Sequence, residues 1–148
     1  MPSVMTSKVI PAPIDTVWNM VRRFNGHDHW HPIVANSQIE KGTAEDQIGC
    51  VRNFKLSSGE ELREKLLTLS DSETMFRYCL IETPIPLYNY VAELRLIPAT
   101  LQNHCFIHWS ARFQTPKDQT EALINLVQNS VQRAGIQAIE KKVTAHVD

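Results

Sequence analysis

The chain has 148 residues, 43% of them hydrophobic, which suits one domain, residues 1–148, large enough to bury its own core. A formal net charge of −1 and a pI near 6.6 supply no field for nucleic acid or an anionic membrane surface, so those partners are disfavoured. Residues 1–9 lack a basic segment followed by an apolar run, and no stretch approaches the ~18 apolar residues of a membrane span, so a soluble cytoplasmic protein is expected.

Ser3 to Ile10 alternates weakly and reads as a first strand, closed by Pro11 and Pro13. Ile14, Val17, Trp18, Val21 and Phe24 then recur at three- and four-residue steps, predicting an amphipathic helix from Pro13 to Phe24. The stretch from Phe24 to Pro32 reads as a turn or short broken helix, because Asn25-Gly26 and Pro32 oppose regular continuation. After it the period changes to two. Val34 to Glu40, Gly49 to Leu56, Glu61 to Leu69, Thr74 to Ile81, Tyr88 to Ile97 and His104 to Phe113 are six strand candidates, and the short turns between them favour antiparallel hairpins. Cys50, Cys79 and Cys105 sit in these runs without CxxC spacing and read as small buried hydrophobes.

The last element is a helix from Thr115 to about Val143. Thr115 with Asp118 suggests a capping box, with Pro116 at the first helical position. Leu123, Leu126, Val127, Ser130, Val131, Ala134, Ala138 and Ile139 form one apolar stripe, with Gln128, Asn129, Gln132 and Arg133 off it. Where Ala134, Gly135 and Ala138 narrow the stripe, either bulky strand residues pack against the helix or an enclosed space holds it off. Strands and helices segregated in this order predict an α+β domain with helices on one face of an antiparallel sheet. One helix cannot cover seven twisted strands by direct contact, so the sheet is expected to curl and leave a cavity.

His27, His29 and His31 alternate, so an extended segment would bring all three to one side, as zinc ligands require. The competing reading leaves His27 and His29 in solvent with Trp30 packed under the turn. A metal site is not expected, because metal clips normally draw on more than one segment. No G-x-S-x-G, P-loop or dinucleotide fingerprint occurs, so no cofactor is expected either.

Pro13-Ile14-Asp15-Thr16-Val17-Trp18 with Val21-Arg22-Arg23-Phe24, then Trp30-His31-Pro32, Gly49 to Arg52, Leu62 to Leu69 and Ala134-Gly135-Ile136 resemble the START/Bet v 1-like superfamily (SRPBCC). Within it the chain is most similar to the bacterial polyketide cyclase/dehydrase and lipid-transport group. The resemblance implies a helix-grip fold: a curved seven-stranded antiparallel sheet around a long C-terminal helix, with two short helices after strand 1 and a hydrophobic pocket between. The first helix is also similar to that of the plant abscisic-acid receptors. Their gate loop is reduced here to Ser58-Gly59 before Glu60, their latch becomes Ile85-Pro86-Leu87, and their carboxylate-gripping lysine falls at Ala35, so only the pocket carries over.

Alignment with those receptors implies pocket positions at Phe54, Leu56, Glu64, Tyr78, Leu87, Tyr90 and Ala92, with Trp109 replacing a family glutamate. Alternation agrees independently: Leu62, Glu64 and Leu66 share a face of their strand, as do Phe76, Tyr78 and Leu80, and Tyr90, Ala92 and Leu94; Val131 and Gly135 are the pocket candidates on the helix. Glu64 is the odd polar group on an apolar face. It is either a pocket carboxylate with a raised pKa, or a structural residue that faces solvent or pairs with Arg52 or Arg63. The expected function is binding of a small hydrophobic molecule: a lipid, polyketide or aromatic metabolite. The alternatives are a polyketide cyclase/dehydratase with Glu64 and Tyr78 as acid and base, or a co-chaperone or interaction module. The expected partner is the ligand, and a homodimer is an open case.

Overall fold

The computed structural model describes residues 1–145. Strand β1 (Ser3–Ile10) leads into α1 (Ile14–Val21), which starts where Pro13 carries an extended backbone and accepts the first turn's N–H groups from Thr16 and Val17. Val17, Trp18 and Val21 form its buried face. The helix stops at Val21, and a separate 3-10 turn, Phe24–His29, follows. Six strands come next: β2 (Val34–Ile39), β3 (Val51–Leu56), β4 (Glu61–Ser70), β5 (Met75–Glu82), β6 (Tyr88–Ala99) and β7 (His104–Gln114). Each lies within a residue or two of its predicted span.

The seven strands form one antiparallel sheet in the order β1-β7-β6-β5-β4-β3-β2. Strands β2 to β7 are linked as neighbouring hairpins, while α1 and the 3-10 turn carry the chain between the two edges. The register shifts in β2 near Val34, in β4 at Arg63/Glu64 and Leu66/Thr68, and in β6 between Tyr88 and Val91, where Asn89 takes a positive φ of 53°. Such bulges bend a strand and increase its twist. They curl the sheet at Val34, Glu64 and Tyr90, residues that line the same interior space.

The long C-terminal helix fills the concave side, as the helix-grip fold requires. It opens with a 3-10 turn, Lys117–Gln119, and continues as α2 (Thr120–Asn125), a π-helical segment (Leu126–Arg133) and α3 (Ala134–Thr144). The capping box does not form: Pro116 stays extended at ψ 145°, and the Thr115 hydroxyl meets Thr120 Oγ1 at 2.7 Å. The π segment also corrects the predicted stripe. Winding by i→i+5 bonds places Val127 and Gln132 on one side, so the buried line runs Leu123, Val127, Gln132, Gly135, Ile136 and Ile139. Gln132, placed off the stripe by a 3.6-residue period, is fully buried. Its Nε2 donates to the Val4 carbonyl at 3.2 Å and its Oε1 accepts from Thr6 Oγ1 at 2.8 Å, tying the segment to β1.

Most buried apolar residues form one cluster between the sheet, α1 and the C-terminal helix; Val34, Phe54 and Leu62 form a smaller one at the β2–β4 end. The half-buried Leu80 and Ile85 pack against both. Among the described residues, no helix is long and apolar enough to cross a membrane.

Candidate functional site

Between the two clusters lies a cavity of about 80 Å³, walled by β3 to β7, the segment from His27 to Val34, and Leu126 and Val131 of the π segment. Of the predicted pocket residues, Phe54, Leu56, Leu62, Glu64, Tyr78, Leu87, Tyr90, Trp109 and Val131 line it. Ala92 and Gly135 lie elsewhere. Ala92 is buried between Tyr78 and Ala111 in the sheet. Gly135 packs directly on the strands' side chains: a Cβ there would sit 2.6 Å from Trp109 Cζ3 and 3.0 Å from the His31 ring. The narrow part of the helix is thus filled by bulky partners, and the open space lies one to two turns earlier.

Glu64 faces this interior, opposite Arg52 in the β3–β4 register. Arg52 Nε and Nη2 both donate to Glu64 Oε1, at 2.9 and 2.6 Å, and Nη1 donates to the Phe24 carbonyl at 2.6 Å. The side chains are only 6% and 7% exposed, so both readings of Glu64 hold in part: it is in the cavity wall and it is paired. Burial raises its pKa above the ordinary carboxylate value, and the Arg52 charge and hydrogen bonds oppose that rise without cancelling it. The guanidinium is stacked 4.0 Å from the Phe24 ring centroid and 5.0 Å from that of Tyr78. Tyr78 OH accepts from Trp109 Nε1 at 3.2 Å; burial and then the Glu64 charge push its pKa up. Burial pushes the Tyr90 hydroxyl well up too.

The histidines do not converge. A 3-10 turn replaces the extended segment that convergence needs, so His27 and His31 point inward and His29 stays exposed. His27 is buried, which corrects the expectation that it faces solvent. His31 Nε2 meets the Val131 carbonyl at 2.8 Å, and its Nδ1 accepts from the Ile33 N–H at 3.3 Å, so Nε2 carries the proton. Its pKa is lowered, mainly by burial, against the raising effect of the Val131 bond. The pKa of His27 lies well below the usual value, through burial first, then Arg52 and His31. Its two ring nitrogens, and Trp30 Nε1, are buried without a hydrogen-bond partner among the described residues.

Sequence reasoning did not place His27, Trp30, His31 or Arg52 in the cavity. Arg52 had a signal: it shares its strand face with Phe54 and Leu56, two and four residues on. His27 and Trp30 had none: their burial follows from a 3-10 turn that ends at His29, which sequence pattern leaves open.

Residues 1–144 match the family described as polyketide cyclase/dehydrase and lipid transport. The chain belongs to that family. It therefore lies in the START/Bet v 1-like superfamily, a small-ligand-binding fold. The abscisic acid receptor PYL7 of Arabidopsis thaliana is 30% identical over 94 residues, covering 62% of this chain and 43% of the receptor, so the match spans less than half of that relative. A solution structure from Thermobifida fusca superposes with a TM-score of 0.86 at 26% identity, over 98% of this chain and 95% of that one. Norcoclaurine synthase of Thalictrum flavum, solved with dopamine and hydroxybenzaldehyde, gives a TM-score of 0.77 at 16% identity, over 99% of this chain and 88% of the synthase, a likeness of fold.

Proposed function

We propose that this family member binds and carries a small hydrophobic molecule, a lipid, polyketide or aromatic metabolite, in the cavity between sheet and C-terminal helix. The observation that carries the reading is the cavity itself: it lies where two buried apolar clusters of one sheet are bridged by the half-buried Leu80 and Ile85, and its wall is mainly aromatic and aliphatic. Trp30, Phe54, Phe76, Tyr78, Tyr90 and Trp109 offer ring faces, and burying apolar ligand area there contributes about 25 cal/mol per Å². A volume of about 80 Å³ suits a small, single-ring body, whereas pockets for drug-sized ligands run to roughly 300–1,000 Å³. A larger ligand requires the half-buried Ile33, Leu56, Leu80 and Ile85 to separate.

The carrier reading is preferred over a cyclase/dehydratase because no acid/base pair is legible: both candidates make structural bonds, and Glu64 Oε2 and the Tyr78 O–H are not bonded to each other. Glu64 is held by two bonds from Arg52, and the Tyr78 hydroxyl accepts from Trp109. Native mass spectrometry of freshly purified protein is expected to show a co-purified small molecule. If no lipid or aromatic compound co-purifies or shifts the melting temperature, the binding reading fails. If Glu64→Gln abolishes turnover of a polyketide while leaving its affinity within a few-fold, the enzyme reading replaces it.

A further inference from the structure

One side chain spans from the sheet to the C-terminal helix at an end of the cavity. Trp109 of β7 lines the space, and its indole touches both layers. Toward the sheet, Nε1 donates to Tyr78 OH at 3.2 Å; toward the helix, Cζ3 occupies the place where a Cβ on Gly135 would sit only 2.6 Å away. Leu126 and Val131 are the helix residues in the cavity wall, whereas Gly135, four residues past Val131, lies behind the indole and outside that wall. The seat fits a bulky ring. Glycine is a poor helix former, and Gly135 does not take a positive φ, so its missing side chain serves this contact and no turn. The indole is also hemmed in. Trp30 and His31 stand edge-on to it, each with ring centroids 6.2 Å away, and His31 is fixed by its bond to the Val131 carbonyl.

We propose that Trp109 is the end stop of the cavity and sets the size of ligand it accepts: a body with one aromatic ring enters, and one with a second ring in line is turned away. The inference rests on the binding reading above and sharpens it. The walls differ in how far they can yield. Ile33, Leu56, Leu80 and Ile85 are half-buried and held by apolar contacts, whereas Trp109 is 4% exposed, hydrogen-bonded and wedged against the helix backbone. A close-packed interior accommodates an extra ring only by strained side chains or a shifted backbone, and at Trp109 either would break the Tyr78 bond or push the helix off the sheet. Replacing the indole by a smaller apolar side chain joins the cavity to the space over Gly135, which leaves room for the second ring. Trp109 is thus a specificity-determining residue, and Gly135 is the position that seats it.

The test uses p-cresol and 4-phenylphenol, which share a hydroxyl and differ by one ring in line, titrated into the full chain with protein NMR shifts as readout. The wild type is expected to bind p-cresol at least about tenfold tighter than 4-phenylphenol, the range of overpacking strain. In Trp109→Leu the ratio of 4-phenylphenol to p-cresol affinity is expected to rise at least about tenfold, and in Trp109→Phe about threefold. Ile107→Ala trims a fully buried residue on the same strand face but outside the cavity wall, so it should leave the ratio unchanged. If 4-phenylphenol binds the wild type as tightly as p-cresol, if the ratio is unchanged in both Trp109 variants, or if Ile107→Ala raises it equally, the inference is overturned while the binding reading stands. Failure of both probes to bind the wild type removes the binding reading and the inference together. Melting curves confirm that each variant folds, and Trp109→Phe carries the comparison should Trp109→Leu not.

Discussion

At the scale of single residues, Glu64 and Arg52 form a buried pair whose value to stability differs from the cost of breaking it. Each ion was taken from water, and the Coulombic gain only roughly offsets that loss. Glu64→Leu strands a guanidinium among Phe24, Phe54 and Tyr78, so it is expected to destabilise the fold by about 3–5 kcal/mol. The double variant Arg52→Met with Glu64→Leu should recover most of that loss, as read by equilibrium denaturation. His27 runs the other way. Replacing its unpartnered ring by an apolar side chain removes buried polar atoms, so His27→Leu is expected to raise the melting temperature.

The same residue makes a prediction about pH. The folded chain holds His27 neutral while the unfolded chain titrates near 6.5, so below that pH the unfolded state binds the extra proton and stability falls until the folded-state pKa is passed. His31 has the same sign. Glu64 has the opposite one: its raised folded-state pKa lets the native chain take up a proton first, so its contribution improves as pH falls through that value toward 4.5. Between pH 7 and 5, His27→Leu should therefore lose stability less steeply than the wild type, by up to about 1.4 kcal/mol per pH unit for one proton. Parallel melting-temperature curves for the two proteins would contradict this.

At the scale of elements, the C-terminal helix combines a tight contact and an open one. Alanine normally gains about 1 kcal/mol over glycine in a helix interior. At position 135 the added methyl meets Trp109 and the His31 ring, the latter fixed by its bond to Val131, so Gly135→Ala is expected to cost about 1–3 kcal/mol instead. A lowered melting temperature with altered tryptophan fluorescence is the expected result. The strands were legible in the sequence because inward residues such as Leu62, Glu64 and Leu66 alternate strictly, and burial enforces the alternation. The helix was legible in extent but not in phase. A π segment keeps helical dihedrals while adding residues to each turn, and nothing in Leu126–Arg133 marks where a 3.6-residue count stops applying. Gln132 was misread for that reason. The pocket's strand residues followed from alternation and family resemblance; His27 and Trp30 did not, because their burial depends on a short 3-10 turn that sequence pattern leaves open.

At the scale of the molecule, the cavity is the seam between the main cluster and the β2–β4 end, where Val34, Phe54 and Leu62 pack. The sheet is continuous across that seam through the β4–β5 ladder, from Arg63↔Glu82 to Ser70↔Met75, so the two ends share backbone bonds as well as the side-chain contacts of Leu80 and Ile85. We expect the chain to unfold as one cooperative unit, and a ligand that touches both clusters to strengthen that unit as a whole. At a hundredfold excess over Kd the stabilisation is about 2.7 kcal/mol, or roughly 5–10 °C in melting temperature for a chain of this size. Calorimetry with p-cresol should show a single transition, free and bound, displaced upward by that amount. Two transitions with only the lower one moving would mean that the β2–β4 end opens independently, and that the ligand holds down a flap of the sheet without joining its two halves.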